Sequence, residues 1–301
     1  MTDVSLQAPR AKAWRWVEPS ALPGFGPAMG FTLAYLSIFL LLPLAALVLR
    51  PWEAGLDHFV SVVTDERTID ALKLSFGASL IAASINAVFG TIVAWVLVRY
   101  EFPGRRLLDA LVDLPFALPT AVAGISLAAI YAPNGVIGSH FTPLELNIPL
   151  LGIHWSQEIK LAYSPIGVMI ALVFVGFPFI VRSIQPVLED LDIDAEEAAA
   201  TLGASRLRTT LLVVAPAILP ALLAGFSLAF ARAVGEYGSV IFIAGNIPNV
   251  SEIAPLLIVI RLEEFDYAGA AGVGLVMLSV SFVMLLVLNF LQARVSRKGQ
   301  R

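Results

Sequence analysis

The sequence predicts an all-α protein, a polytopic bundle of about six membrane-spanning helices. Of its 301 residues, 58% are hydrophobic and only 14% are charged, whereas about a quarter of the residues in a soluble domain are charged. Several apolar runs reach the roughly 20 residues that a helix needs to cross a bilayer. Lipid is therefore the predicted solvent for most of the chain.

Six apolar runs are the predicted spans. They cover about residues 28–49, 71–98, 107–131, 164–184, 211–231 and 268–291. The first run is long for the apolar part of a signal peptide and lacks a small-residue cleavage site before Arg50, so we interpret it as a retained span, with cleavage as the alternative. The broken apolar region 235–262 either re-enters the membrane or forms a pair of short helices, since irregular backbone at membrane depth must be covered by protein or line a water-filled cavity.

The distribution of basic residues predicts the orientation, because Lys and Arg concentrate in cytoplasmic loops. With both termini in the cytoplasm, the outside segments hold Arg50, Arg67, Lys160 and Arg261. The inside segments then hold Arg10, Lys12, Arg15, Arg99, Arg105, Arg106, Arg182, Arg206, Arg208, Arg294, Arg297, Lys298 and Arg301. The predicted organisation is a cytoplasmic segment 1–27, a transmembrane domain 28–293 and a basic cytoplasmic tail 294–301.

A short helix is predicted at about 194–203, in the inside loop between the fourth and fifth runs. The loop reads Asp194-Ala-Glu-Glu-Ala-Ala-Ala-Thr-Leu-Gly203. Asp194 is the predicted N-cap, Glu197 completes a capping box, and Gly203 is placed to end the helix in a left-handed conformation. One face is apolar and mostly small, at i, i+3, i+4 and i+7: Ala195, Ala198, Ala199 and Leu202. By pattern alone, this helix either enters a groove on a partner or lies on its own bundle.

The same loop resembles the EAA signature of ABC importer permeases. That signature has Glu-Ala-Ala, then Gly after three residues, an aliphatic residue after nine more, and then Pro. It matches Glu197, Ala198, Ala199, Gly203, Val213 and Pro216, with Ala215 in place of the leucine expected before the proline. The resemblance implies that Glu197, Ala198, Ala199, Gly203 and Pro216 belong to a coupling helix that docks on a dimer of ATP-binding subunits.

The chain is therefore expected to be a membrane subunit without catalytic activity or a cofactor of its own, since ATP is bound by the partner subunit. A P-loop needs a Gly-Lys pair to hold phosphates, and the sequence contains no Gly-Lys. This observation agrees with the expectation that ATP hydrolysis belongs to another chain.

Nearly the whole chain resembles the T-type permease subunits of sulfate/thiosulfate ABC importers, which belong to the binding-protein-dependent transport system inner-membrane component family. The stretches 114–124, 231–238, 254–258 and 262–267 carry the resemblance. It implies a bacterial inner (plasma) membrane location, a homologous W-type permease partner and a periplasmic or extracytoplasmic sulfate-binding protein. The pattern Arg-Ala-x-Gly-Glu-aromatic-Gly is shared with molybdate permeases, so a molybdate or tungstate permease is the alternative.

Arg232, Glu236 and Tyr237 are the candidate residues of an anion path. Arg232 is late in the fifth run, and Glu236 follows it by one helical turn. A charge inside a span usually faces a partner charge, the bundle interior or a water-filled path. Arg232 therefore either pairs with Glu236 or snorkels to the interface, or it supplies the cation that an anion path needs.

Pro115 and Pro119 interrupt the third run, because each removes a helical hydrogen bond. The interruption predicts either a gate hinge or a kinked packing helix. At the cytoplasmic end of that run, Arg105 is predicted to pair with Asp109 at i, i+4. We interpret Asp109 and Asp113 as anchoring residues, with a proton relay as the alternative.

No metal site and no nucleic-acid partner are predicted. The three histidines, His58, His140 and His154, fall in predicted outside loops without metal-ligand spacing, and cysteine is absent. Two other classes fit less well. An ion-driven secondary transporter usually has an internal repeat with carboxylates near the midplane, and a membrane-embedded hydrolase would place histidines within spans. The sequence shows neither pattern.

Overall fold

The computed structural model describes residues 24–141, 144–148, 153–157 and 160–299. The predicted cytoplasmic segment 1–27 therefore lies almost wholly outside the described residues. The chain divides into two compact units, Met1–Ala46 and Leu47–Arg301. The described part of the first unit is helical, and the second unit contains the residues of the candidate sites.

The first helical stretch begins with α1 (Phe25–Leu36), a π-helical turn (Ser37–Leu41) and α2 (Leu42–Leu49). The π turn directly precedes α2 because Pro43 has no N–H to donate, and the Leu42 N–H bonds back to the Ser37 carbonyl. Three aromatic rings follow one another along one face at i, i+4 and i+8, with centroids 6.4 and 4.7 Å apart: Phe31, Tyr35 and Phe39.

The second unit is an all-α bundle with one short hairpin. After a 3-10 turn (Arg50–Ala54), its helices are α3 (Leu56–Thr64), α4 (Glu66–Arg99), α5 (Arg105–Val112), α6 (Leu114–Ala117), α7 (Thr120–Tyr131), α8 (Pro165–Glu189), α9 (Ile193–Thr201), α10 (Arg206–Thr209), α11 (Ala215–Val234), α12 (Val240–Ile243), α13 (Ala254–Glu263) and α14 (Tyr267–Gly299). The predicted all-α fold class is confirmed.

Five helical stretches in the described part of the chain are long and apolar enough to cross a membrane. They are Phe25–Ala54, Glu66–Arg99, Pro165–Glu189, Arg206–Val234 and Tyr267–Val295. They match the predicted first, second, fourth, fifth and sixth spans, although α14 extends through residues predicted to be a tail.

The third predicted span is interrupted instead of continuous. Pro115 occupies the first turn of α6, and Pro119 is the N-cap of α7. Leu118 is extended, as expected for a residue that precedes proline. The apolar helix that remains, α7, has 12 residues.

The centre of the bundle is formed by α4, α8 and α11. The buried face of α4 consists largely of Ala, Ser and Gly, and such small residues let helix backbones approach closely. A Cβ on Gly90 would lie only 2.7 Å from Ile180 on α8. The buried Asn86 amide donates to the Val173 carbonyl at 3.0 Å and thereby links α4 to α8.

Two further features concern regions outside the long helices. The region 235–262 contains α12 and α13, which is the predicted alternative of two short helices. The predicted loop between α7 and α8 contains a hairpin of β1 (Leu144–Ile148) and β2 (Ile153–Gln157), with Leu144 opposite Gln157. The sequence did not predict this hairpin. His154, which was predicted to lie in a loop, belongs to β2.

Candidate coupling helix and candidate anion path

The predicted loop helix is α9, but it begins earlier than expected. Its N-cap is Asp192, which makes no side-chain cap bond, and Asp194 lies in the first turn. The predicted capping box from Asp194 to Glu197 is therefore wrong. The chain already turns at Asp192, whose backbone is not helical, and the acids of the first turn stabilise the helix through its dipole instead.

The C-terminal end of α9 has the geometry predicted for Gly203. Gly203 has φ +81°, a conformation that costs glycine little. Its N–H donates to the Ala200 carbonyl at 3.0 Å, and the Ala204 N–H donates to the Ala199 carbonyl at 3.0 Å. These two bonds form a Schellman motif, which satisfies carbonyls that the helix end leaves free.

The predicted apolar face of α9 is divided between two directions. Ala198 is exposed and Leu202 is 88% exposed, whereas Ala199 is half-buried. The Ala195 side chain lies outside the described set. Glu197 is also exposed, so the exposed surface of α9 combines the carboxylate of Glu197 with the apolar side chain of Leu202.

The remaining residues of the EAA-like pattern lie at the start of the next span. Val213 belongs to a π-helical turn (Thr210–Val214), in which the Ala215 N–H bonds to the Thr210 carbonyl. Pro216 follows in the first turn of α11. The residues from α9 to Pro216 thus form one helix–turn–helix connection.

Arg232 and Glu236 form the predicted i, i+4 pair. Arg232 Nη1 donates to Glu236 Oε2, and the other carboxylate oxygen accepts from the Ser239 N–H at 2.8 Å and the Ser239 hydroxyl at 2.9 Å. The Glu236 side chain is 2% exposed and that of Arg232 is 37% exposed. The carboxylate therefore holds together the end of α11 and the start of α12, and half-buried Tyr237 lies between them.

The backbone that follows Glu236 is packed directly against α7. A Cβ on Gly124 would lie 2.3 Å from the Ser239 carbonyl oxygen and 2.8 Å from Ser239 Cα. A Cβ on Gly238 would lie 2.2 Å from Thr120 Oγ1. The two glycines leave room for the helix after Pro119 to pack closely on the candidate anion-path segment, through the Ser239 backbone at Gly124 and through the Thr120 side chain at Gly238.

Comparison with protein families shows which family the chain belongs to. Residues 86–299 match the family described as binding-protein-dependent transport system inner membrane component. The chain belongs to this family. It is a multi-pass membrane permease subunit of an ABC importer, and α9 and α11 both lie in the matched region.

Relatives within this family are sulfate permeases. The chain is 48% identical to the "Probable sulfate transport system permease protein cysT" of Nephroselmis olivacea, covering 88% of this chain and 89% of the relative. It is 44% identical to the sulfate transport system permease protein CysT of Salmonella typhimurium, covering 92% and 95%. These relatives show that the chain belongs to the CysT family, as the resemblance implied.

Solved ABC transporters share the fold. A bacterial alginate ABC transporter superposes with a TM-score of 0.71 at 18% identity, over 90% of this chain and 94% of that chain. The MetNI methionine ABC transporter gives 0.53 at 16% identity, over 78% and 96%. At these identities the likeness concerns the fold alone.

In this family member, the C-terminal parts of α5 and α8 are joined by a cluster that the sequence analysis did not predict. Arg182 Nε and Nη2 bind both oxygens of Asp113 at 2.8 and 2.6 Å. Its Nη1 binds Asp109 at 2.7 Å and Gln185 at 2.6 Å. The predicted Arg105–Asp109 pair is wrong, because Arg182 reaches Asp109 from another helix. The i, i+4 spacing of Asp109 and Asp113 is a sequence feature that indicates a shared basic partner.

His58 also differs from its prediction as an ordinary loop residue. It lies on α3, and its Nε2 is 3.1 Å from Asp266 Oδ1, across 208 residues of sequence. Asp266 also accepts from the Gly269 N–H at 2.8 Å and from Arg261 at 3.1 Å. Burial raises the pKa of Asp266, but the hydrogen bonds from Gly269, His58 and Arg261 outweigh it, and the pKa lies below its usual value.

Acid should weaken this cluster. A carboxyl group with a lowered folded-state pKa stabilises the fold above its unfolded pKa of about 4, and the stabilisation is lost as pH falls through the folded pKa. We expect Asp266→Asn to lower the thermal unfolding midpoint of the purified protein near neutral pH and to reduce the further fall between about pH 5 and pH 3. Asp57→Asn, which removes an exposed carboxylate beside His58, should behave like the wild type. An unchanged acid dependence in Asp266→Asn would contradict this assignment.

Proposed function

We propose that this chain is the T-type pore-forming subunit of an ATP-driven importer for sulfate and thiosulfate. The observation that carries the proposal is identity of 44–48% to sulfate permeases over 88–95% of both chains. The partners are a homologous W-type permease, a dimer of ATP-binding subunits and an extracytoplasmic sulfate-binding protein. We propose further that both termini and α9 lie on the cytoplasmic side of the bacterial inner membrane.

Coupling to ATP is assigned to α9. Exposed Ala198 and Leu202 offer a surface with little side-chain bulk near Glu197, which suits insertion into a groove of the ATP-binding subunit. The Schellman motif at Gly203 fixes the direction in which the chain leaves α9. Pro216 then sets the start of α11, so that a displacement of α9 is passed to this span.

Anion passage is assigned to the outer part of α11. Glu236 engages one nitrogen of Arg232, and the arginine keeps more than a third of its side chain exposed in the single chain. The other guanidinium donors are thus available to a passing oxyanion, and half-buried Tyr237 follows Glu236 in the chain. The break at Pro115 and Pro119 is the proposed gate, since it releases α7 from α5.

Uptake of radiolabelled sulfate by cells that lack this gene and by cells in which it is restored tests the substrate. Loss on deletion, recovery on restoration and competition by unlabelled thiosulfate are expected. Unchanged sulfate uptake together with lower molybdate accumulation would contradict the sulfate assignment and favour the molybdate alternative.

Substitutions in α9 test the coupling role. Glu197→Lys reverses the charge on the docking surface, and Gly203→Val places a branched side chain at positive φ, which destroys the Schellman turn. Each should abolish uptake although the subunit is still inserted in the membrane. Asp190→Lys, an equal charge reversal at an exposed position outside α9, is the matched control. Normal uptake by either α9 variant would refute docking through this helix.

A further inference from the structure

The inner end of α4 is joined to the candidate coupling helix by an ion pair that no motif indicates. Arg99 is the last residue of α4, and its Nη2 donates to Glu196 Oε1 of α9 at 2.6 Å. The two side chains are 14% and 25% exposed, and the guanidinium carbon lies 5.6 Å from the centre of the Trp95 ring. Partial burial and stacking hold this arginine in one orientation.

Each charge of the pair lies at the helix end that favours it. Arg99 is in the last turn of α4, where the helix dipole is negative, and Glu196 is in the first turn of α9, where it is positive. Among the side chains that the structure describes, this is the only hydrogen bond or ion pair that links α9 to another helix. The position of α9 relative to the bundle therefore depends on Arg99.

The outer end of α4 is fastened in a comparable way. Arg67, in the first turn of α4, forms a bidentate ion pair with Glu252, in which both N–O distances are 2.7 Å. The Glu252 side chain is 1% exposed and lies two residues before α13. Bidentate arginine–carboxylate pairs fix the relative orientation of the two side chains as well as their distance.

Between these two pairs, α4 is a continuous helix of 34 residues. At about 1.5 Å per residue it is about 50 Å long, which exceeds the roughly 30 Å hydrocarbon layer of a bilayer. Its buried face packs on α8 and α11 through small residues, and its unbroken length makes it a stiff connection between the two pairs.

We infer that α4 transmits the movement of the coupling helix to the segment before α13, with Arg99–Glu196 as the positioning pair at the inner end and Arg67–Glu252 at the outer end. This inference rests on the proposed function, because it assigns a route to the coupling that begins at α9.

The test uses the assembled importer, with both permeases, ATP-binding subunits and binding protein, in proteoliposomes. Sulfate transported per ATP hydrolysed is measured for Arg99→Glu, Glu196→Arg and the double variant, normalised to assembled complex. We expect each single variant to lower this ratio by about tenfold, within the range typical of coupling between sites, and the charge-exchanged double variant to recover it in part, because its pair is restored but both charges now oppose the helix dipoles. Glu101→Gln, an exposed acid beside Arg99, should retain the wild-type ratio. A merely structural role would change the amount of complex without changing the ratio.

A distance measurement tests the same inference by a readout that is independent of transport. The chain has no cysteine, so spin labels can be attached at Tyr100→Cys and Asp194→Cys, two exposed positions flanking the pair. ATP binding should leave the label distance unchanged when Glu196 is present and change it in Glu196→Gln. A distance that changes equally in both backgrounds, or a double variant as uncoupled as the single ones, would overturn the inference. A wild-type complex that does not import sulfate would instead refute the proposed function.

Discussion

Gly124→Ala should strongly reduce the stability of the subunit, although it adds a single methyl group. The new Cβ would lie 2.3 Å from the carbonyl oxygen of Ser239 and 2.8 Å from its Cα. Both are backbone atoms and cannot rotate away, so α7 and the segment after Glu236 must separate. Overpacking of this kind costs about 1–3 kcal/mol or more. The thermal unfolding midpoint of the purified subunit and its yield in the membrane fraction measure the effect.

Gly77→Ala provides the matched control. Gly77 is also helical, and nothing lies within 4 Å of the position that its Cβ would take. Replacing glycine by alanine inside a helix favours the helix by about 1 kcal/mol, so this variant should be at least as stable as the wild type. Equal stability of the Gly124 and Gly77 variants would show that α7 does not contact Ser239 as the structure describes.

Glu236→Ala should have the other large effect. The carboxylate is buried and accepts from Arg232, the Ser239 N–H and the Ser239 hydroxyl. Its removal leaves the buried Ser239 N–H without a partner and a partly exposed guanidinium without its counter-ion, which together cost about 1–3 kcal/mol. We expect a clear fall in the thermal midpoint together with loss of transport. Glu263→Ala, at an exposed position at the end of α13, should leave both quantities unchanged.

The same site distinguishes the two interpretations of Arg232. If the arginine only balances Glu236, Arg232→Lys should retain transport in proportion to the stability that it retains. If its free donors contact the anion, Arg232→Lys should retain stability but lower uptake, because lysine presents a single ammonium in place of a planar set of donors. Full uptake in Arg232→Lys would exclude an anion contact that needs the guanidinium.

Features that depend on residues close in sequence could be predicted, and those that depend on distant contacts could not. Gly203 ends α9 as expected because a Schellman turn is a local structure. The start of α9 was misplaced, since two aspartates two residues apart are equally good N-caps and only the backbone at Asp192 distinguishes them. The ion pairs of Arg182 could not be predicted, because its partners Asp109 and Asp113 are more than 65 residues away in the sequence.

The two prolines of the third run could be interpreted only in part from the sequence. Pro115 and Pro119 predicted an irregularity in the third run, and the breaks lie beside them, at Asp113 and at Leu118. The close packing of α7 on the segment after Glu236 depends on Gly124 and Gly238, and local sequence did not indicate this contact. The EAA-like residues predicted the location of α9, the proposed coupling helix. Glu196, which the same pattern places away from the docking face, was not recognised as the contact that fixes this helix to α4.

The shortness of α7 has an electrical consequence. Its 12 residues extend about 18 Å, little more than half of the roughly 30 Å hydrocarbon layer. Where a membrane barrier is thin, the transmembrane voltage falls over a short distance. An anion with two charges that enters a cell with a negative interior works against about 2.3 kcal/mol per charge for each 100 mV. If the proposed gate at Pro115 and Pro119 lies on the anion path, a doubly charged anion does this electrical work beside a helix that is shorter than the hydrocarbon layer, so we expect import to slow as the cell interior becomes more negative.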